Sequence, residues 1–212
     1  MRRRLLAVVS LALVLMALAL PARAAGVETQ HVKFKGQTAQ AQFSSTQGCV
    51  QTDVFVVASD GLAKLDPGGP EAVSGGETFI SQFDVCTQTQ LRTAFGFAVL
   101  APDEFQIDQQ FTAASLTATI EVSDSVSGAS FPVHVSVRWT GFGDTFRDAY
   151  TTHEEEPGFK VNSYFDGTFR QATASGTVSD GTTNFTPEPA LLTTGNTILG
   201  SIKVGEVDIA YQ

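Results

Sequence analysis

Between residues 115 and 139 apolar and polar side chains alternate almost without exception, and that pattern restricts the fold more than any other feature. Leu116, Ala118, Ile120 and Val122 share one parity, with Ser115, Thr117, Thr119 and Glu121 on the other. Phe131, Val133, Val135, Val137 and Trp139 repeat the pattern against His134, Ser136 and Arg138. Successive side chains of a strand point to opposite faces, so each segment buries one face and wets the other. Turn formers between them, including Asp124 and Gly128, predict an antiparallel hairpin. Pro132 has no N–H to give a ladder, so its strand is expected to start late or to run along an edge there.

Shorter stretches behave alike. Val32 and Phe34, then Ala39, Ala41 and Phe43, alternate near the start; residues 79–85, 91–99, 159–169 and 202–211 follow. The run Val54-Phe55-Val56-Val57 predicts a strand buried on both faces. Gly96, inside one of these stretches, marks a bulge or a close packing contact. After residue 24 no segment keeps a 3.6-residue period. The expectation is an all-β fold, an antiparallel β-sandwich or jelly-roll-like domain of about nine or ten strands. Clusters of Gly, Pro, Asp and Ser place long connections at 60–76, 141–157 and 179–197.

The first 24 residues obey a different logic. Arg2, Arg3 and Arg4 precede an apolar run from 5 to 20, broken only by Ser10, and Pro21 and Ala22-Arg23-Ala24 follow. A positive start, an apolar middle and an A-x-A site form a secretory signal peptide, expected to be cleaved after Ala24. Sixteen helical residues would rise about 24 Å, short of the ~30 Å of a bilayer's hydrocarbon. The paired arginines also resemble a twin-arginine signal, but the strongly apolar middle favours the general secretory route. Residues 25–212 then form a single domain, secreted to the extracellular space, or to the periplasm in a Gram-negative host. No membrane insertion is expected after cleavage.

Cleavage removes four basic residues and no acid, so the formal charge of −9 becomes −13. Such a surface repels phosphate backbones and anionic headgroups, which argues against nucleic-acid partners. Cys49 and Cys86 are the only cysteines. In an oxidising compartment a lone pair is expected to form a disulfide.

Chemistry is harder to find. The 141–157 stretch, read as a loop, gathers Asp144, Asp148, His153, Glu154, Glu155 and Glu156, with Arg147 as its only base. Carboxylates suit Ca²⁺, yet neither an EF-hand spacing nor H-E-x-x-H is present, and a solvated acidic loop is the simpler reading. No cofactor is expected. There is no G-x-S-x-G, and neither a P-loop nor a dinucleotide fingerprint occurs. Trp139 and most phenylalanines fall on apolar positions and are expected in the core, while Tyr150 and Tyr164 are the aromatics left for contacts. Asn184-Phe185-Thr186 fits a glycosylation sequon. The leading expectation is a secreted, non-catalytic binding or structural module acting on an unknown extracellular ligand or protein. The alternative is a secreted polysaccharide-active hydrolase or lyase using carboxylates as acid and base.

Overall fold

The alternating hairpin is in place, and the rest of the sheet grows from it. A computed structural model describes residues 29–66, 68–156, 159–186, 191–192 and 197–211; the expected signal peptide lies outside them. The hairpin joins β6 (Ala113–Asp124) to β7 (Ser130–Glu156), in register from Ala113 opposite Thr140 to Ser123 opposite Ser130. Asp124 holds the turn, accepting from Val126 N and Ser127 Oγ, and it also takes Thr93 N. These hydrogen bonds outweigh the desolvation that would raise its pKa and hold its carboxyl below the usual range. Pro132 precedes His134, where the ladder from β7 to the next strand begins, so its missing N–H disturbs nothing on that side.

The other strands are β1 (Thr29–Gln47), β2 (Val50–Asp66), β3 (Pro70–Asp84), β4 (Thr89–Val99), β5 (Phe105–Ile107), β8 (Phe159–Ser179), β9 (Leu191–Leu192) and β10 (Ile198–Tyr211). All pairings are antiparallel, and the described residues include no helix. Where a sandwich or jelly roll is expected, the strands form one ladder in the order β10-β8-β7-β6-β4-β3-β2-β1, and β10 also pairs β1. The ladder therefore closes on itself as an eight-stranded meander, with β5 added beside β6 and β9 beside β1. Closure removes most of the edges that an open sheet would have to protect.

The seam between β4 and β6 is short, running from Ala94 opposite Asp124 to Gly96 opposite Val122. A Cβ on Gly96 would lie 2.2 Å from Glu121 O and 2.8 Å from Val122 Cγ1. The glycine is thus required by close approach of two backbones, one of the two roles its place in a strand predicts.

Inside the barrel, Phe43, Val54, Val56, Ile80, Leu116, Ile120, Val133, Val135, Val137 and Trp139 form one buried cluster. Trp139 is fully enclosed and donates its indole N–H to Gln40 O at 2.8 Å, a contact across the core between strands that are not ladder neighbours. The indole thereby buries its apolar body while keeping its one polar group satisfied.

A second cluster sits on the opposite face of the same strands. On β1, Ala39, Ala41 and Phe43 face the barrel interior, whereas Val32 and Phe34, of the other parity, join Val161, Phe165, Ile202, Val207 and Ile209. The β6 ladder stops at Thr140 of β7 and the β4 ladder stops at Gly75 of β3. Past those points the six strands β3-β2-β1-β10-β8-β7 project as an open sheet, and this sheet buries its other face. The reversal falls where Gly36 opposes Gly61 and where Lys203 is an extra residue in β10. A Cβ on Gly36 would lie 2.2 Å from Asp60 O, and one on Gly61 2.3 Å from Lys35 O. Only glycine allows strands to bend this tightly.

The predicted disulfide is present: Cys49, after β1, joins Cys86, after β3, with Cα atoms 5.5 Å apart. The run 54–57 is buried on both faces near its end, with Val56 and Val57 both enclosed.

Candidate functional site

The acidic stretch is not a loop. Residues 141–156 continue β7, paired with β8 as far as Glu156 opposite Phe159. Gly143 and Asp144 form a two-residue bulge, with Gly143 at φ 68°. Beyond it Phe146, Asp148, Tyr150 and Thr152 share one parity, and Arg147, Ala149, Thr151, His153 and Glu155 share the other. Two of the charges in this stretch, and His153, have partners across the strands. Arg147 donates to both carboxylate oxygens of Asp166 at 2.8 Å, Glu155 pairs Lys160 at 2.9 Å, and His153 Nδ1 lies 2.6 Å from Asn162 Oδ1. The hydrogen bonds from Arg147 hold the Asp166 carboxyl below its usual range. On the same face His31 meets Asp208, and Lys33 meets Glu206 at 3.0 Å. Cross-strand pairs of this kind give a sheet register more than stability when they are exposed.

Of the predicted site residues, Asp144 lies in the bulge, Asp148 faces the second cluster, and His153 and Glu155 face away from it. Glu154 and Glu156 belong to the same strand. The strand spreads these groups over both faces instead of gathering them. The one group with metal-like proximity among the described residues is Cys49, Asp84 and Cys86, and there both sulfurs belong to the disulfide. Thermal melts with and without millimolar Ca²⁺ should therefore share one midpoint; a rise with Ca²⁺ would reveal a specific site.

Tyr150 stacks on Phe165 with ring centroids 5.0 Å apart and belongs to the second cluster's margin. Tyr164 is exposed on the polar face. The exposed faces of β6, β7 and β8 present mainly short side chains, as in the row Thr117, Ser136 and Thr177.

A concave site does exist elsewhere. A cleft of about 540 Å³ opens beside β5, β6 and β7, lined by Gln106, Ile107, Asp108, Ser115, Arg138 and Thr140 together with Trp139 and the start of β6. Asp108 accepts Thr112 N, Thr112 Oγ1 at 2.6 Å and Ala113 N at 2.6 Å. Desolvation pushes its carboxyl up, but those bonds push harder, and it is held ionised below the usual range. It therefore shapes the turn into β6. Arg138 belongs to no ion pair among the described residues, and its strand neighbour across the ladder is Ser115. The cleft thus combines a small apolar floor with a cation, an amide and hydroxyls, the usual make-up of a ligand site. Sequence pattern places Arg138 on the wet face but offers no signal for the cleft, because β5 is only three residues long.

Two further polar residues escape a reading by alternation. Gln40 and Glu77 lie in one cross-sheet row, Ile198–Gln40–Val57–Glu77–Phe97, on the face opposite the barrel interior. Glu77 is 6 % exposed and Gln40 fully buried. Among the described residues, neither side-chain nitrogen nor oxygen of the Gln40 amide has a hydrogen-bond partner, nor does Glu77 Oε1. Burial alone pushes the Glu77 carboxyl up to about 8. No protein-family model, no curated protein and no solved structure matches this chain.

Proposed function

We propose that this chain is exported, loses residues 1–24, and acts outside the cytoplasm as a non-catalytic binding module. The cleft beside β5 carries the reading: Arg138, Gln106, Ser115 and Thr140 converge on one open concavity on paired strands. Its one lining carboxylate, Asp108, is committed to the turn at Thr112 and Ala113, so the cleft's chemistry is that of recognition. On a mature surface of net charge −13, a cleft with an uncommitted guanidinium selects a small ligand that presents a carboxylate or a similar acceptor. The closed ladder is read as sandwich-like in cross-section, β1–β4 facing β6–β10 across the core that Trp139 bridges.

The test has two parts. Mass spectrometry of the exported protein should give an N-terminus at Ala25. Amide chemical shifts of residues 106–108, 113–115 and 138–140 should move on titration with an acidic oligosaccharide such as oligogalacturonate, and move less with a neutral one. Arg138→Ala should weaken that binding by about tenfold or more, the worth of a charge-assisted hydrogen bond. Equal response to both sugars would sink the ligand assignment, and cleavage of either would restore the hydrolase or lyase reading.

A further inference from the structure

Closure protects most strand edges, but the longest strand keeps one bare. Among the described residues, β7 has no partner on its β6 side beyond Gly141, whose N–H goes to Thr112 O at 2.8 Å. Residues 142–147 and 149 are exposed. The β3 edge left open by β4 is short and begins with Pro70 and Glu71, both common guards against edge pairing. Between Thr145 and His153 the β7 edge has neither proline nor lysine, and one arginine balances one aspartate. On a strongly acidic chain this segment is locally neutral.

The direction of its N–H groups follows from the neighbouring ladder. Ala172 of β8 donates to Thr197 O, away from β7. Hydrogen-bonding direction alternates along an antiparallel strand. Even-numbered β8 residues down to Asp166 therefore point away from β7, as do their partners Thr145, Arg147, Ala149, Thr151 and His153 away from β8. These five present N–H and C=O groups to the open side.

We propose that residues 145–153 of β7 pair antiparallel with the same residues of a second copy of this chain, about a two-fold axis through Ala149. In this register Arg147 opposes Thr151 and Thr145 opposes His153, so no like charges meet within residues 145–153, and Asp144 is set aside by the bulge. The outward groups then form about ten inter-chain hydrogen bonds. Shifting the centre to Arg147 sets two arginines opposite one another, and shifting it to Thr151 sets Asp148 opposite Glu154. Like charges directly opposite destabilise a pair of strands, so both of those shifts are disfavoured. The Gly143-Asp144 bulge and the acids from 154 onward bracket the pairing segment. A self-complementary patch of this kind is what a closed two-fold dimer requires.

Sedimentation equilibrium of the exported protein tests this directly. A dimer twice the monomer mass is expected at micromolar concentration, with association weakened about tenfold or more by Ala149→Pro. That substitution removes an outward N–H and leaves the bonds to β8 intact. Hydrogen exchange on the unaltered chain gives a second readout: amides of Arg147, Ala149 and Thr151 should gain protection as concentration rises. A monomer up to about 1 mM, a dimer indifferent to Ala149→Pro, or exchange at these amides independent of concentration would each overturn the proposal.

Discussion

Replacing Glu77 with glutamine is expected to leave stability almost unchanged near pH 4 and to raise it progressively up to about pH 8. In the folded chain burial holds the carboxyl protonated up to about 8, against an ordinary value of 4.5. Between those values the unfolded chain has lost the proton and the folded chain has kept it. The folded state then binds more protons, so stability falls as pH rises and levels off once both states are ionised. The full loss is roughly 4–5 kcal/mol, at about 1.4 kcal/mol per unit. Glutamine is neutral throughout and has nearly the same shape, so the difference between the two proteins isolates this one group. No charge lies in its cross-sheet row, where Val57 and Phe97 are its neighbours, so desolvation has nothing to oppose it. Urea unfolding of both proteins from pH 4 to 9 checks the claim. Parallel stability curves over that range would mean that water reaches Glu77 and that the site is not closed.

Glu77 also shows where sequence pattern stops being informative. In β3 it alternates correctly with Thr78 and Ile80 and looks like an ordinary wet position. It is enclosed because β1, β2 and β3 bury both faces around Gln40, Val57 and Ser59. Local alternation reports that a residue faces one side of a sheet; it does not report what lies on that side. The same gap hides the closure of the ladder, since open and closed sheets both use strands with one apolar face. Closure rests on β1 pairing β10 across nearly the whole sequence, and no local signal encodes that.

The two misplaced loops have more specific causes. At 60–76 the Asp-Gly and Gly-Gly pairs look like turns, yet β2 runs to Asp66 and β3 starts at Pro70. Gly61 is needed opposite Gly36, and Gly75 lies beneath the Phe97 ring, 2.7 Å from where a Cβ would sit. At 141–157 Glu155 meets Lys160 of β8 and Arg147 meets Asp166 of β8, and the Gly143-Asp144 bulge breaks the period that would have exposed the strand. In contrast, residues 113–139 were fully legible because hairpin, core face and turn cap are all local.

Loss of the Cys49–Cys86 bond is expected to lower stability by up to about 4 kcal/mol while leaving the native structure unchanged. Both cysteines lie in exposed turns, Gly48 preceding one at φ 59° and Asp84 capping the other through Cys86 N and Thr87 N. Val85 N also bonds Cys49 O at 2.8 Å, and Val50 pairs Asp84 directly. The chain ends of this loop are therefore held together in the folded state without the sulfurs. What the bond changes is the unfolded ensemble, in which two points 37 residues apart can no longer separate. In the chain-entropy account that restriction is worth about 4 kcal/mol, and engineered cases tend to deliver less. Cys49→Ser with Cys86→Ser should lower the melting midpoint by roughly 8–16 °C for a domain of this size. The denaturant m-value should rise, because the freed unfolded chain exposes more surface. Amide spectra of the two proteins should superimpose outside the turns at 47–50 and 84–89. A midpoint shift below about 2 °C would show instead that the unfolded chain keeps these turns together on its own. The same protein made without residues 1–24 in a reducing cytosol should match the serine variant, and oxidation after purification should restore the difference.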